Sequence, residues 1–203
     1  MHITLVSGSH RPDSQSARVA HYLAGQIEKD GHSTHIVDLG KNPLPFWDED
    51  LWADELPAGW GKVLSPVTTQ LDKSDAVIVI APEWAGMVPA ALKNFFLLVG
   101  DALMHKAGLI VGVSSGINGA YPIAELRSSS YKNTKICYMP DHLIVRTVGD
   151  MLHDKPELEQ SSHDKGLRER ITYTLNVLYE YAKALKTVRA SGVTETEKFR
   201  YGM

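Results

Sequence analysis

Short apolar runs alternate along the chain with longer stretches in which apolar residues recur every three or four positions. Ile3, Leu5 and Val6 form the first run, with the β-branched character of a strand covered on both faces. Ala17, Val19, Ala20, Leu23, Ala24 and Ile27 then fall at helical spacing, which predicts a helix beginning near Ser14. Gly31 breaks that pattern, and Ser33 to Leu39 reads as a second strand. A helix over residues 62–73 would turn Val63, Leu64, Val67 and Leu71 inward. Ala76 to Ala81 is apolar throughout, as a central parallel strand requires. Pro89 opens a helix carrying Ala90, Leu92, Phe95, Phe96 and Val99. Gly108 to Ser114 predicts another strand and residues 120–131 another helix. Ile136–Met139 and His142–Val145 predict the last strand, broken at Pro140. Ser161 to Lys186 is the closing helix, with Ile171, Leu175, Leu178, Tyr181 and Leu185 on one face.

This alternation predicts one α/β domain over residues 1–186, a doubly wound five-stranded parallel sheet with helices on both faces. Ligands of such sheets bind beyond the carboxyl ends of the strands. Three turns fall on that edge: residues 7–14, residues 82–87 and residues 115–119. Residues 40–60 are a long excursion carrying Phe46, Trp47, Trp52 and Trp60, which either covers a ligand or a neighbouring subunit or packs locally against the sheet edge. Residues 187–203 are polar and mixed in charge, a free tail or an arm docked on another subunit.

The first turn carries the sharpest chemistry. Ser7, Ser9, Ser14 and Ser16 supply hydroxyls, Arg11 a guanidinium, and the following helix its unpaired N–H groups and positive dipole end. That set suits a doubly charged monophosphate. The alternative is an ordinary serine-capped helix start. Neither GxGxxG nor GxxxxGK[ST] occurs, so a dinucleotide pyrophosphate and a triphosphate are not indicated. His10 lies inside the turn, either adding to the site or facing solvent, and Asp38 reads as a turn residue at the end of its strand.

Composition narrows the picture without redirecting it. A chain of 203 residues buries a full core without staples, and 43% hydrophobic with 22% charged residues is the balance of a globular protein. A net charge of −3 gives no sign of a nucleic-acid or anionic-membrane surface. The single Cys137 sits in an apolar run and reads as a buried strand residue. The N-terminus enters a strand directly and no apolar stretch spans a bilayer, so the cytoplasm is the expected compartment. Nine scattered histidines without HExxH or paired Cys/His spacing argue against a metal site.

The motifs GSHRPDSQSARVA, NPLPFWDEDL, APEWAGMVPAALKN and SSGINGA follow one another in an order and spacing that resemble the NADPH-dependent FMN reductase family. The resemblance covers about the first two-thirds of the chain and fades after Arg127. It implies a flavodoxin-like fold and an enzyme that uses FMN with NADPH or NADH as donor. The small-molecule acceptor would be a quinone, free flavin, azo compound or metal oxyanion. It implies further that Ser9, Arg11, Ser14 and Ser16 hold the FMN phosphate. Pro82, Glu83, Trp84, Ala85, Gly86 and Met87 would run along the isoalloxazine edge, with Ser115, Gly116 and Gly119 on its other side. No catalytic side chain is implied, because the flavin carries the chemistry, and turnover would be ping-pong. Relatives form dimers and tetramers, so a homodimer or homotetramer is implied. The family commonly reads PEYNGS where this chain has PEWAGM, and Ser16 stands for a usual asparagine. Trp84 would stack near the flavin or fill the core. Lys93 and Asn94 are assigned to packing.

Two rival readings stand beside this one. Gly112 to Gly116 matches the GxSxG nucleophile elbow, with Ser114 as nucleophile and Asp141, His142, His153 and His163 as triad partners of a serine hydrolase. A flavin-binding electron carrier or redox sensor without nicotinamide activity is the other.

Overall fold

In the computed structural model, which describes residues 1–53, 56, 58–154, 161–195 and 197–199, five strands lie in one sheet. They are β1 (His2–Ser7), β2 (Ser33–Asp38), β3 (Ala76–Pro82), β4 (Ala107–Val113) and β5 (Cys137–Val145). Their order is β2-β1-β3-β4-β5 and every neighbouring pair is parallel. Five helices connect and follow them: α1 (Gln15–Lys29), α2 (Trp60–Lys73), α3 (Ala90–Val99), α4 (Tyr121–Ser128) and α5 (Ser162–Ala190). The predicted flavodoxin-like sheet, covered on both faces, is the fold observed.

Two apolar layers explain why β3 and β4 carry no polar residue. Ile78 and Ile80 face α1 and α5 through Val19, Leu23, Ile27, Ile171, Leu175 and Leu178. Val77 and Val79 face α2, α3 and α4 through Val67, Leu71, Leu92, Phe95, Ile123 and Leu126. Burying side chains on both faces of the central strands supplies the main driving force for this architecture.

Several expectations shift by a face or a turn. Val63, expected inward, is 38% exposed, while Leu64, Val67 and Leu71 fill the core side of α2. Tyr181 is 40% exposed; the buried tyrosine of α5 is Tyr179, whose hydroxyl donates to Asp30 Oδ2 at 2.8 Å. The helix expected to reach Tyr131 ends at Ser128, because the hydroxyls of Ser128, Ser129 and Ser130 bond back to the carbonyls of Glu125 and Leu126. α5 runs on to Ala190, so the first four residues of the expected tail are helical. The break at Pro140 is a bulge inside one strand: Gly108 pairs with Tyr138, and Ile110 already pairs with His142. Parts of the long excursion and of the C-terminal tail lie outside the described residues.

The excursion is pinned from below. Asn94 of α3 accepts the Trp47 N–H at 2.7 Å and donates to Pro45 O at 2.8 Å, so its amide staples the loop to the helix while Phe46 stays exposed. Asn94 thus holds the loop by hydrogen bonds, where packing and helix geometry were expected of it.

Candidate functional site

The order β2-β1-β3 reverses the direction of winding at β1, and the crevice of a doubly wound sheet opens at that point, beyond the carboxyl ends of β1 and β3. The first turn leaves β1 there. Gly8 N–H donates to Ile80 O at 2.9 Å, and Ser9, itself buried, accepts the Arg11 N–H on its Oγ at 3.2 Å. Ser14 caps α1 by accepting the Ala17 N–H at 3.1 Å. The N–H groups of Gln15 and Ser16 belong to the first helical turn and have no intrahelical acceptor. Ser16 is only 1% exposed, so its side chain lies below the surface that Ser14 and Arg11 form. The Arg11 guanidinium is exposed and bonds to no described residue.

A second turn closes beside the first. Trp84 and Met87 exchange both backbone hydrogen bonds, at 3.1 and 2.9 Å, around Ala85 and Gly86. Both central residues have positive φ, 49° and 74°, the signature of a type I′ hairpin turn. The alanine that replaces the family's asparagine therefore keeps the backbone path and loses the side chain that tolerates it best. The Trp84 ring meets His10 edge to face at 4.3 Å between centroids, so the first two turns touch across the crevice. The far end of the hairpin is tied to α4, where Glu125 Oε2 accepts the Val88 N–H at 2.7 Å and Oε1 pairs with Lys93. Burial alone would raise the Glu125 carboxyl; the bonds from Lys93 and Val88 override it and hold the group below its ordinary value.

The third turn is drawn against the second by Glu83, whose Oε2 accepts the Gly119 N–H at 2.7 Å. Gly119 folds so closely over β4 that a Cβ on Gly112 would lie 2.2 Å from its carbonyl oxygen. Ser115 and Gly116 are exposed, and Gly116 N–H donates to Ser114 Oγ at 3.2 Å. Behind them the chain after β5 zips onto the turn through Thr147 N–H to Gly116 O at 2.8 Å and Val148 N–H to Ser114 O at 3.0 Å. Arg18 of α1 secures that segment by donating to Val148, Met151 and Leu152 carbonyls. Sequence reasoning missed Arg18, since nothing local to it indicates acceptors some 130 positions away.

These groups fit the phosphate of FMN on one further observation. Ser7 Oγ, fully buried at the end of β1, has no partner among the described residues, and an unmet hydroxyl below an anion-ready turn suits a phosphate oxygen or its bound water. Its register neighbour Asp38 also keeps one buried oxygen unpartnered, while the other accepts the N–H groups of Gly40 and Lys41, the turn role expected of it. The thirteen residues named from the sequence thus lie at one edge, on the three turns and the element ends that flank them; Arg11 and Gly119 commit their N–H groups to Ser9 and Glu83, side chains of the same set.

The hydrolase constellation does not assemble. Ser114 is buried, has no positive φ, and precedes α4 by seven residues instead of opening it. Asp141 pairs with Arg170, and the His153 ring bonds to Gly149 O at 2.6 Å. Cys137 opens β5 half-buried, and burial raises its thiol above the ordinary range. No cluster of metal-ligating side chains and no helix long and apolar enough to cross a membrane occurs among the described residues.

The sequence pattern of the family described as NADPH-dependent FMN reductase matches residues 1–149. A quinone reductase of Pseudomonas putida is 30% identical over 125 residues, covering 59% of this chain and 63% of that protein. An FMN-dependent NADH:quinone oxidoreductase of Shewanella oneidensis is 32% identical over 98 residues, 44% of this chain and 50% of that one. The chain thus matches less than two-thirds of the length of these relatives. Among solved structures, the flavoenzyme NAD(P)H:(acceptor) oxidoreductase FerB of Paracoccus denitrificans superposes with a TM-score of 0.67 at 18% identity, over 90% of this chain and 97% of that one. At that identity the likeness is one of fold.

Proposed function

The chain belongs to the NADPH-dependent FMN reductase family, and from that premise we propose that it is an FMN-dependent NAD(P)H oxidoreductase passing electrons to a small quinone-like acceptor by a ping-pong mechanism. The observation that carries the reading is the unengaged Arg11 beside a hydroxyl-lined helix start at the point where the sheet reverses its winding. FMN, when bound, would supply the chemistry by accepting hydride from the nicotinamide and returning the electrons to the acceptor.

What the chain contributes is binding and orientation. Arg11 would supply the charge opposite the phosphate, and the hydroxyls of Ser9 and Ser14 with the first N–H groups of α1 at Gln15 and Ser16 would hydrogen-bond its oxygens. The segment from Pro82 to Met87 offers backbone groups to the ring edge, and the His10–Trp84 contact keeps that hairpin beside the phosphate turn. Ser115, Gly116 and Gly119 form the opposite border, with Glu83 fixing their distance from the hairpin. The proposal extends to one domain over residues 1–186 whose closing helix continues to Ala190, the rest of 187–203 being tail or arm, and to a homodimer or homotetramer, a cytoplasmic setting and no nucleic-acid partner. Exposed Met87, Ile117 and Tyr121 support a site that receives flat apolar molecules in turn.

The test is an absorbance spectrum of the purified protein before and after addition of FMN, followed by stopped-flow mixing with NADPH or NADH and then with a benzoquinone. Bound flavin that bleaches with donor and recovers with quinone is the expected result. Protein that ignores FMN overturns the cofactor assignment, and bound flavin that neither donor bleaches leaves the electron-carrier reading in its place.

A further inference from the structure

Arg146 is the first residue beyond β5. Its side chain is exposed, and its Nε donates to Ile117 O in the third turn at 2.6 Å. The terminal guanidinium nitrogens have no hydrogen-bond or ion-pair partner among the described residues. The backbone on either side of that contact is fixed, since Thr147 and Val148 bond to Gly116 and Ser114. The guanidinium is therefore held by its inner nitrogen, with its two-pronged end uncommitted.

Its place on the edge matters as much as its freedom. Along the order β1-β3-β4-β5, Arg11 follows the first strand and Arg146 the last, three strand spacings apart. At about 4.8 Å per spacing the ends of these two strands are roughly 14 Å apart. Between them lie the second and third turns and three exposed apolar side chains, Met87, Ile117 and Tyr121. Other cations near the edge are placed differently: Lys93 pairs with Glu125, and Lys41 follows β2 on the far side of Arg11. The edge carries an apolar strip with a guanidinium at each end, that of Arg11 unengaged and that of Arg146 held only through its Nε.

We propose that Arg146 binds a phosphate of the nicotinamide dinucleotide donor. This rests on the oxidoreductase reading above, in which Arg11 is taken by the phosphate of FMN. A donor whose base lies against the ring brings its own phosphates, and those need a second cation within reach of the strip. A guanidinium suits them by its paired N–H groups, and the bond to Ile117 O limits the rotamer freedom lost on binding.

The experiment uses the FMN-loaded protein with Arg146→Gln and Arg146→Lys. Calorimetry measures the affinity for NADP+, NAD+ and adenosine 2′,5′-bisphosphate, and steady-state kinetics gives KM for each donor. Arg146→Gln should weaken NADP+ about tenfold or more, the range of a lost hydrogen bond to a charged group, and Arg146→Lys should recover part of it. A loss shared with adenosine 2′,5′-bisphosphate but not NAD+ assigns the 2′-phosphate; an equal loss for NADP+ and NAD+ assigns the pyrophosphate. Affinities within twofold of wild type for all three nucleotides overturn the proposal, as does a parallel loss of FMN affinity, which would give Arg146 to the flavin. Flavin that stays oxidised with both donors would overturn the activity instead, and the nucleotide titrations would still read Arg146 on their own.

Discussion

Glu83 Oε2 accepts the backbone N–H of Gly119 at 2.7 Å, so one carboxylate joins the end of β3 to the last residue of the third turn. Removing it leaves that N–H without its partner inside a tightly folded turn. Glu83→Ala should cost about 1.5–3 kcal/mol, the range for a hydrogen bond to a charged group. In a chain of this size that lowers Tm by about 3–12 °C. FMN affinity should fall about tenfold with it, since the turn borders the proposed ring site. Thermal unfolding and a flavin titration check both, and a variant unchanged in either would remove Glu83 from its role in spacing the turns.

Ala85 occupies a left-handed position at φ 49° that alanine adopts at a cost of about 1–2 kcal/mol. Asparagine and glycine tolerate it better. Ala85→Asn and Ala85→Gly should each raise Tm by about 1–4 °C, and Ala85→Val should lower it. Scanning calorimetry of the three variants reads the result; a lower Tm for both replacements would contradict a type I′ hairpin at this site.

Arg11→Ala should weaken FMN by about tenfold to a hundredfold while leaving riboflavin within a few-fold, because only FMN presents a phosphate to the guanidinium. Fluorescence titration of the two flavins gives the comparison. Equal losses would place Arg11 against the ring or ribityl chain.

Lys106 is buried at the amino end of β4, where its Nζ donates to the Leu71 and Asp72 carbonyls at the end of α2. Burial lowers it to about 8, with neighbouring Asp72 opposing the shift. Its charged form is thus disfavoured in the folded protein, and between about pH 8 and the ordinary lysine value the unfolded chain holds the extra proton. Stability contributed by this group therefore rises with pH across that window. Measured against Lys106→Met, wild-type ΔG of unfolding should increase from pH 8 to pH 10; a difference that stays flat would show that Lys106 titrates normally.

The parts of the fold legible in the sequence were those set by burial on both faces. β3 and β4 could be read directly, and the Pro140 interruption correctly marked the bulge in β5. The errors came where two helical faces compete for one apolar residue. Val63 lies one position before the buried Leu64, and Tyr181 one before the buried Ala182, so a stripe drawn slightly too wide takes both inward. The premature end of α4 depends on three serine hydroxyls finding carbonyls, a choice that helix periodicity does not express. At the candidate site, the turns and their hydroxyls were visible as composition. The contacts that fix their spacing, Glu83 to Gly119 and His10 to Trp84, join turns more than thirty residues apart and exist only once the sheet has formed.

The bulge in β5 interrupts the exposed border of the sheet. Pro140 offers no donor along the outer rim of the sheet, and Arg127 Nη2 already occupies the Met139 and Pro140 carbonyls at 2.8 and 2.9 Å. An incoming strand would find neither a regular ladder nor free acceptors there, so that border is guarded against runaway sheet extension. The outer border of β5 is therefore a poor template for open-ended, fibre-like growth.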